Sequence, residues 1–289
     1  MNQQPPVQTG FGERLRAAVG KHGSLCVGID PHPGILSSWD LPRDASGLER
    51  CARGMIAAVA GRVAIVKPQS AFFEAYGAAG TAVLELVLAD AREAGLLTLL
   101  DAKRGDIGST MDAYAAGYLA ADAPLAADAI TLSPYLGFGS LDGAIEVAEE
   151  NGRGVYVLAA TSNPEGPGIQ RAITPDGRAV SQSIIDAAAV RNATAARAGE
   201  WGNVGIVFGA TVPADHGLKL DDLGGSILAP GFGAQGGTVD DLRAVFGHAY
   251  PQVLPSSSRA ILAAGPDPTA IASAVEETQQ ALVAAVNRT

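Results

Sequence analysis

The chain has 289 residues, of which 47% are hydrophobic, and a formal net charge of −10. That apolar content over that length supplies a large core and excludes a disordered chain; the length is ordinary for one α/β barrel. The acidic balance excludes a general attraction to nucleic acid or to an anionic membrane, so an anionic substrate must be bound by a few local cations.

Residues 1–10 are polar, with prolines at 5 and 6, and lack both a basic n-region and an apolar h-region. No signal peptide is expected there. No apolar run is long enough to span a bilayer, and a cytoplasmic protein with no membrane partner is expected. Cys26 and Cys51 lie in apolar stretches without a CxxC or a histidine at ligand spacing. They read as buried, reduced thiols, not as a disulfide or a metal site.

A leading helix fits residues 12–21. Eight short apolar runs follow, at 24–29, 63–66, 96–100, 129–132, 154–159, 204–208, 226–229 and 252–255. Most are continuously hydrophobic, as parallel strands buried on both faces require. Helical patterns separate them at 47–60, 81–94, 110–121, 141–151, 181–198 and 238–246, and a last one spans 268–287, opened by Pro-Thr. Strand and helix alternating eight times predict an α/β chain, a single (β/α)8 TIM barrel over 1–289 with a short N-terminal extension. Residues 161–175, irregular and rich in Pro and Gly, follow a strand, where a barrel carries an active-site loop.

The sharpest signal is Asp101-x-Lys103-x-x-Asp106, directly after the apolar run ending at Leu100. Asp101 and Lys103, two apart at a strand end, point to the same face. Gly105 turns the chain, Asp106 falls at the start of the next helix, and Thr110 lies four residues on, on the same helical face. Carboxylates beside a lysine favour its charged form, which suits a general acid and not a Schiff-base nucleophile. Asp30 and Lys67 close two earlier strands, so charges ending three successive strands converge in a barrel mouth. Later, Pro230-Gly231-Phe232-Gly233-Ala234-Gln235-Gly236 offers a glycine-rich turn whose N–H groups can approach a phosphate at a helix start. Arg259 follows the last strand and can grip phosphate with two hydrogen bonds. These segments follow strands seven and eight, where barrels commonly hold phosphate.

From Asp30 to Arg259 these residues resemble the orotidine 5′-phosphate decarboxylase family, in its longer bacterial subgroup. Lys67 with Asp101, Lys103 and Asp106 looks like that family's Lys-Asp-Lys-Asp tetrad. The resemblance implies conversion of OMP to UMP and CO2 in pyrimidine biosynthesis, with no cofactor and no metal, by direct decarboxylation at C6 with Lys103 protonating the carbanion. Asp101 would sit near the departing carboxylate, either straining the ground state or orienting Lys103. A homodimer is implied, with Asp106, Ile107 and Thr110 reaching the partner's site. Asp30 and Lys67 would contact ribose hydroxyls. Ser162 would meet the pyrimidine, a task its neighbours Thr161 and Asn163 could also do. Pro230, Gln235, Gly236 and Arg259 complete the substrate-binding set, with Gln235 and Arg259 on the phosphate.

Other readings fit less well. Metal-dependent sugar-phosphate enzymes such as hexulose-phosphate synthases are understood to place an acid where Lys67 stands, and a cation there repels a metal. The carboxylates around Lys103 oppose a Schiff-base aldolase. Residues 231–236 satisfy G-x-G-x-x-G, but late in the chain and without the following acidic strand end of a nicotinamide site. A barrel that only binds phosphorylated ligands leaves the charged cluster unused. His22, His32, His216 and His248 are scattered, and Trp39 and Trp201 read as packing residues.

Overall fold

A computed structural model describes residues 9–233 and 236–286. Eight parallel strands close into a barrel in sequence order: β1 (Cys26–Ile29), β2 (Ile65–Pro68), β3 (Leu97–Arg104), β4 (Ala129–Leu132), β5 (Gly154–Ala160), β6 (Val204–Phe208), β7 (Ile227–Pro230) and β8 (Val253–Ser257). β8 pairs back onto β1 through Cys26 with Ser256 and Val27 with Ser257. The helices are α1 (Phe11–His22), α2 (Pro33–Ser38), α3 (Ala45–Val59), α4 (Ser70–Glu74), α5 (Gly77–Glu93), α6 (Gly108–Leu119), α7 (Asp142–Glu150), α8 (Pro167–Gln170), α9 (Val180–Arg197), α10 (Val239–Phe246), α11 (Arg259–Leu262) and α12 (Pro268–Val286).

The expected alternation holds with one correction. The connection from β6 to β7 contains no helix, because Pro213, Gly217, Gly224 and Gly225 interrupt any helical run there. All eight strands match the expected runs within a few residues, except that β3 continues four residues past Leu100.

Two apolar layers result. One lies between the strands and the outer helices, and takes Val27, Val66, Leu100, Ile130, Val157 and Ile206. The other fills the barrel and contains Cys26, Ile65, Leu97, Leu99, Ala129, Tyr156, Val207, Leu228 and Leu254. α1 plugs its lower end: Phe11 and Leu15 are fully buried, and Phe11 meets Tyr156 edge-on at 6.1 Å. Gly12 is required in this plug, since a Cβ there would stand 2.1 Å from the Trp201 carbonyl oxygen.

The interior layer fixes the site by parity. Side chains alternate along a strand, so two residues beyond an interior residue is another interior one, one layer higher. Ile65 leads to Lys67 and Gln69. Leu97 and Leu99 lead to Asp101, Ala129 to Thr131, Leu228 to Pro230, and Cys26 through Gly28 to Asp30. The apolar interior therefore gives way to charge at the C-terminal mouth.

Candidate active site

A cavity of about 430 Å3 opens at that mouth. Asp30, Lys67, Gln69, Asp101 and Lys103 line one side, Thr161, Ser162 and Asn163 the loop after β5, and Pro230, Gly231, Phe232, Ser258 and Arg259 the far side. Its charged side chains are three cations and two carboxylates, so the site is locally positive in an acidic chain. Its volume suits a small organic ligand.

Lys67 is 5% exposed and Asp101 7%. Lys67 Nζ lies 3.7 Å from Asp30 Oδ1 and 3.4 Å from Asp101 Oδ2, while Lys103 Nζ lies 2.7 Å from Asp101 Oδ1. Burial favours the neutral form of Lys67, but the Asp30 and Asp101 carboxylates outweigh it and hold the ammonium above the usual lysine range. Burial likewise pushes the Asp101 carboxyl up, yet Lys67, Lys103 and the hydrogen bonds from Lys103 and Thr131 bring it down to about 2. Asp101 is thus a fixed anion holding two ammonium groups. The Lys103 side chain is 48% exposed and reaches into the cavity.

The backbone that delivers Lys103 is irregular. The β3–β4 register runs from Leu100 opposite Ile130 to Arg104 opposite Leu132, so four steps on β3 match two on β4. Inside this bulge Lys103 adopts φ +47°, a left-handed conformation unfavourable for a residue with a Cβ. Arg104 points away from the cavity. It pairs with Glu74 and donates to Tyr118 Oη at 3.2 Å. Gly105 is needed for close approach, because a Cβ there would stand 2.3 Å from the Ser133 carbonyl oxygen.

The structure brings together Asp30, Lys67, Asp101, Lys103, Ser162, Pro230 and Arg259. It does not bring Asp106, Ile107 or Thr110 to this cavity. Asp106 is not in a helix, contrary to expectation. Its carboxylate accepts from the Ile107 N–H at 2.8 Å, and α6 begins only at Gly108, so the shared helical face with Thr110 does not exist. Ile107 is 62% exposed and Thr110 also faces solvent.

The glycine-rich turn follows β7 as expected, but the helix start beyond it is already filled. Thr238 and Asp241 cap α10 reciprocally, with acidic residues in its first turn. Gly236 donates its N–H to Gly233 O at 2.8 Å and lies outside the cavity lining; Gln235 falls outside the described residues. Gly231 and Phe232 reach the cavity, beside Ser258 and Arg259 at the start of α11. Arg259 has no ion-pair partner among the described residues.

Among Thr161, Ser162 and Asn163, two are tied to protein. Thr161 Oγ1 bonds Asn163 Oδ1 and Gln170 Nε2, both at 2.6 Å, and Asn163 Nδ2 donates to Glu165 at 2.9 Å. The Ser162 hydroxyl has no hydrogen-bonding side-chain or backbone partner among the described residues, which leaves it for a ligand. His32 and His216 and both tryptophans have structural roles, and His248 faces solvent. His32 caps α2, His216 packs edge-on against Phe208 at 5.0 Å, and Trp39 is buried with its Nε1 donating to Leu262 O. Both cysteines are buried and unpaired.

Two residues were not anticipated. Gln69 Nε2 donates to Asp101 Oδ2 at 2.8 Å; its position two beyond Lys67 was a legible signal. Thr131 Oγ1 donates to Asp101 Oδ1 at 2.8 Å; a threonine inside an apolar strand carried none.

Comparison with known proteins places this geometry among others. A family model described as the orotidine 5′-phosphate decarboxylase / HUMPS family matches residues 23–275. An orotidine 5′-phosphate decarboxylase of Salinispora tropica is 54% identical over 266 residues, covering 92% of this chain and 94% of that one. One from Streptomyces coelicolor is 52% identical over 270 residues, with the same coverage. A crystal structure of a candidate orotidine 5′-phosphate decarboxylase from Streptomyces avermitilis superposes with a TM-score of 0.93 at 47% identity, covering 99% of each chain.

Proposed function

The chain belongs to the orotidine 5′-phosphate decarboxylase / HUMPS family, and from that premise we propose that its barrel mouth converts OMP to UMP and CO2 by direct decarboxylation at C6. It is an enzyme, a carboxy-lyase of pyrimidine biosynthesis. The observation that carries the mechanism is the Lys67–Asp101–Lys103 array in one cavity with Arg259. Within the family, the relatives named above support the decarboxylase arm. So does Lys67: a buried ammonium closing β2 opposes a metal ion there.

Arg259 grips the phosphate together with Gln235, and Pro230 and Gly236 complete the substrate-binding set. Asp30 and Lys67 hold ribose hydroxyls, and the Ser162 hydroxyl meets the pyrimidine. The C6–carboxylate bond breaks with its electron pair left on C6, and CO2 departs. The Lys103 ammonium stabilises the developing carbanion and then transfers a proton to C6. The resulting amine regains a proton from solvent. Asp101, anchored by four donors, aims Lys103. Binding energy from the remote phosphate orders the site for the reacting carbon.

The active form is a homodimer. Ile107, Tyr135 and Leu136, exposed at 62%, 77% and 51%, follow β3 and β4 at the mouth and supply an apolar contact face. Asp106, Ile107 and Thr110, unused by their own cavity, then reach the partner's site. The protein acts in the cytoplasm.

The test is the ultraviolet absorbance of OMP incubated with purified protein and EDTA, with UMP identified by chromatography. Rapid conversion is expected. Folded, dimeric protein that leaves OMP unchanged overturns the proposal and directs the search to hexulose phosphates with Mg2+.

A further inference from the structure

We propose that Thr131 is a positioning residue whose single hydroxyl sets both the carboxylate of Asp101 and the backbone of Lys103; this rests on the decarboxylase reading above. Thr131 sits in the middle of β4 and is fully buried inside the barrel. Its Oγ1 donates to Asp101 Oδ1 at 2.8 Å and accepts the Lys103 N–H at 2.9 Å. The direction of each bond is unambiguous. An ionised carboxylate can only accept, a backbone N–H can only donate, and a hydroxyl does both.

The need for the hydroxyl comes from the bulge. Between Leu100–Ile130 and Arg104–Leu132 the ladder is interrupted, so Lys103 has no facing carbonyl for its N–H. The Thr131 side chain replaces that carbonyl. A non-glycine residue at φ +47° persists only where its surroundings over-determine it. Here three ties do so. The Lys103 N–H is held by Thr131, its Nζ by Asp101 Oδ1 at 2.7 Å, and the next carbonyl, of Arg104, by the Ser133 N–H at 2.7 Å. Two of the three run through Thr131 or through the oxygen it binds. The same oxygen therefore orients the ammonium and is itself oriented by the hydroxyl. Thr131 does not line the cavity, so any effect on turnover passes through the pair.

The test uses T131V, which keeps the shape and loses the hydroxyl, and T131S, which keeps the hydroxyl. In T131V, kcat for OMP is expected to fall on the order of 10- to 100-fold, as for loss of a partner that orients a reacting group. Inhibition by UMP should stay within about threefold of wild type, because the phosphate and ribose contacts lie elsewhere. T131S should recover most of kcat. In the unliganded protein, the Lys103 amide should exchange slowly with solvent in wild type and T131S and rapidly in T131V. The proposal is overturned by T131V turning over within about twofold of wild type, by T131S as slow as T131V, by UMP binding lost in proportion to kcat, or by unchanged amide exchange. A wild-type protein that does not decarboxylate OMP defeats the functional reading instead, and the amide exchange still decides the role of Thr131.

Discussion

Replacing Asp101 with Asn removes one charge from the centre of the buried array while keeping its shape. The magnitude follows from proton affinity. Folding takes the Asp101 carboxyl from an ordinary 3.8 to about 2. At about 1.4 kcal/mol per tenfold change, ionised Asp101 contributes roughly 2 to 3 kcal/mol to stability. A depressed carboxyl contributes fully above its unfolded value and loses that contribution as pH falls through the folded one. With Asn standing for the protonated acid, the stability gap between wild type and D101N should be full at pH 7 and nearly so at pH 5. It should shrink to about half by pH 3. Urea unfolding followed by circular dichroism at pH 7, 5, 4 and 3 measures it directly. A gap that stays constant with pH, or a D101N protein as stable as wild type at pH 7, refutes the view that Lys67 and Lys103 hold this carboxylate ionised. D101N should also turn over slowly, since the amide no longer anchors the Lys103 ammonium by charge.

Lys103→Ala should abolish nearly all OMP turnover while UMP affinity, read by calorimetry, stays close to wild type; parallel loss of both would remove Lys103 from the chemical step. Arg259→Ala should weaken UMP binding by on the order of a hundredfold, as loss of a bidentate charged contact does, and should flatten the dependence of UMP affinity on salt. Normal UMP affinity in that variant would remove Arg259 from the phosphate site. Lys103→Ala and Asp106→Ala proteins, each nearly inactive alone, should regain up to about a quarter of wild-type activity when refolded together, because random pairing creates sites lacking neither residue. Activity that stays at the level of the separate variants would mean Asp106 does not reach a partner's site.

Much of the barrel was legible because a strand buried on both faces must be continuously apolar, and eight such runs stand out between helical patterns. The charged cluster was legible for a related reason. Asp30, Lys67 and Asp101 interrupt apolar runs at their C-terminal ends, and strand parity sends all three inward. Local rules failed where backbone and long-range partners decide. Asp106 follows a strand like its neighbours, yet an irregular loop turns its carboxylate onto the Ile107 N–H. The turn before α10 has the glycines of a phosphate loop, but Thr238 and Asp241 already satisfy that helix start. No pattern in residues 97–104 announces a bulge, and none links Thr131 to Asp101 thirty residues earlier. The sequence by itself determined which side chains face the interior, because that depends only on a period of two. Tertiary structure decided how they are joined, because the β3–β4 register, the left-handed Lys103 and the Thr131 hydroxyl between them exist only once two distant strands lie side by side.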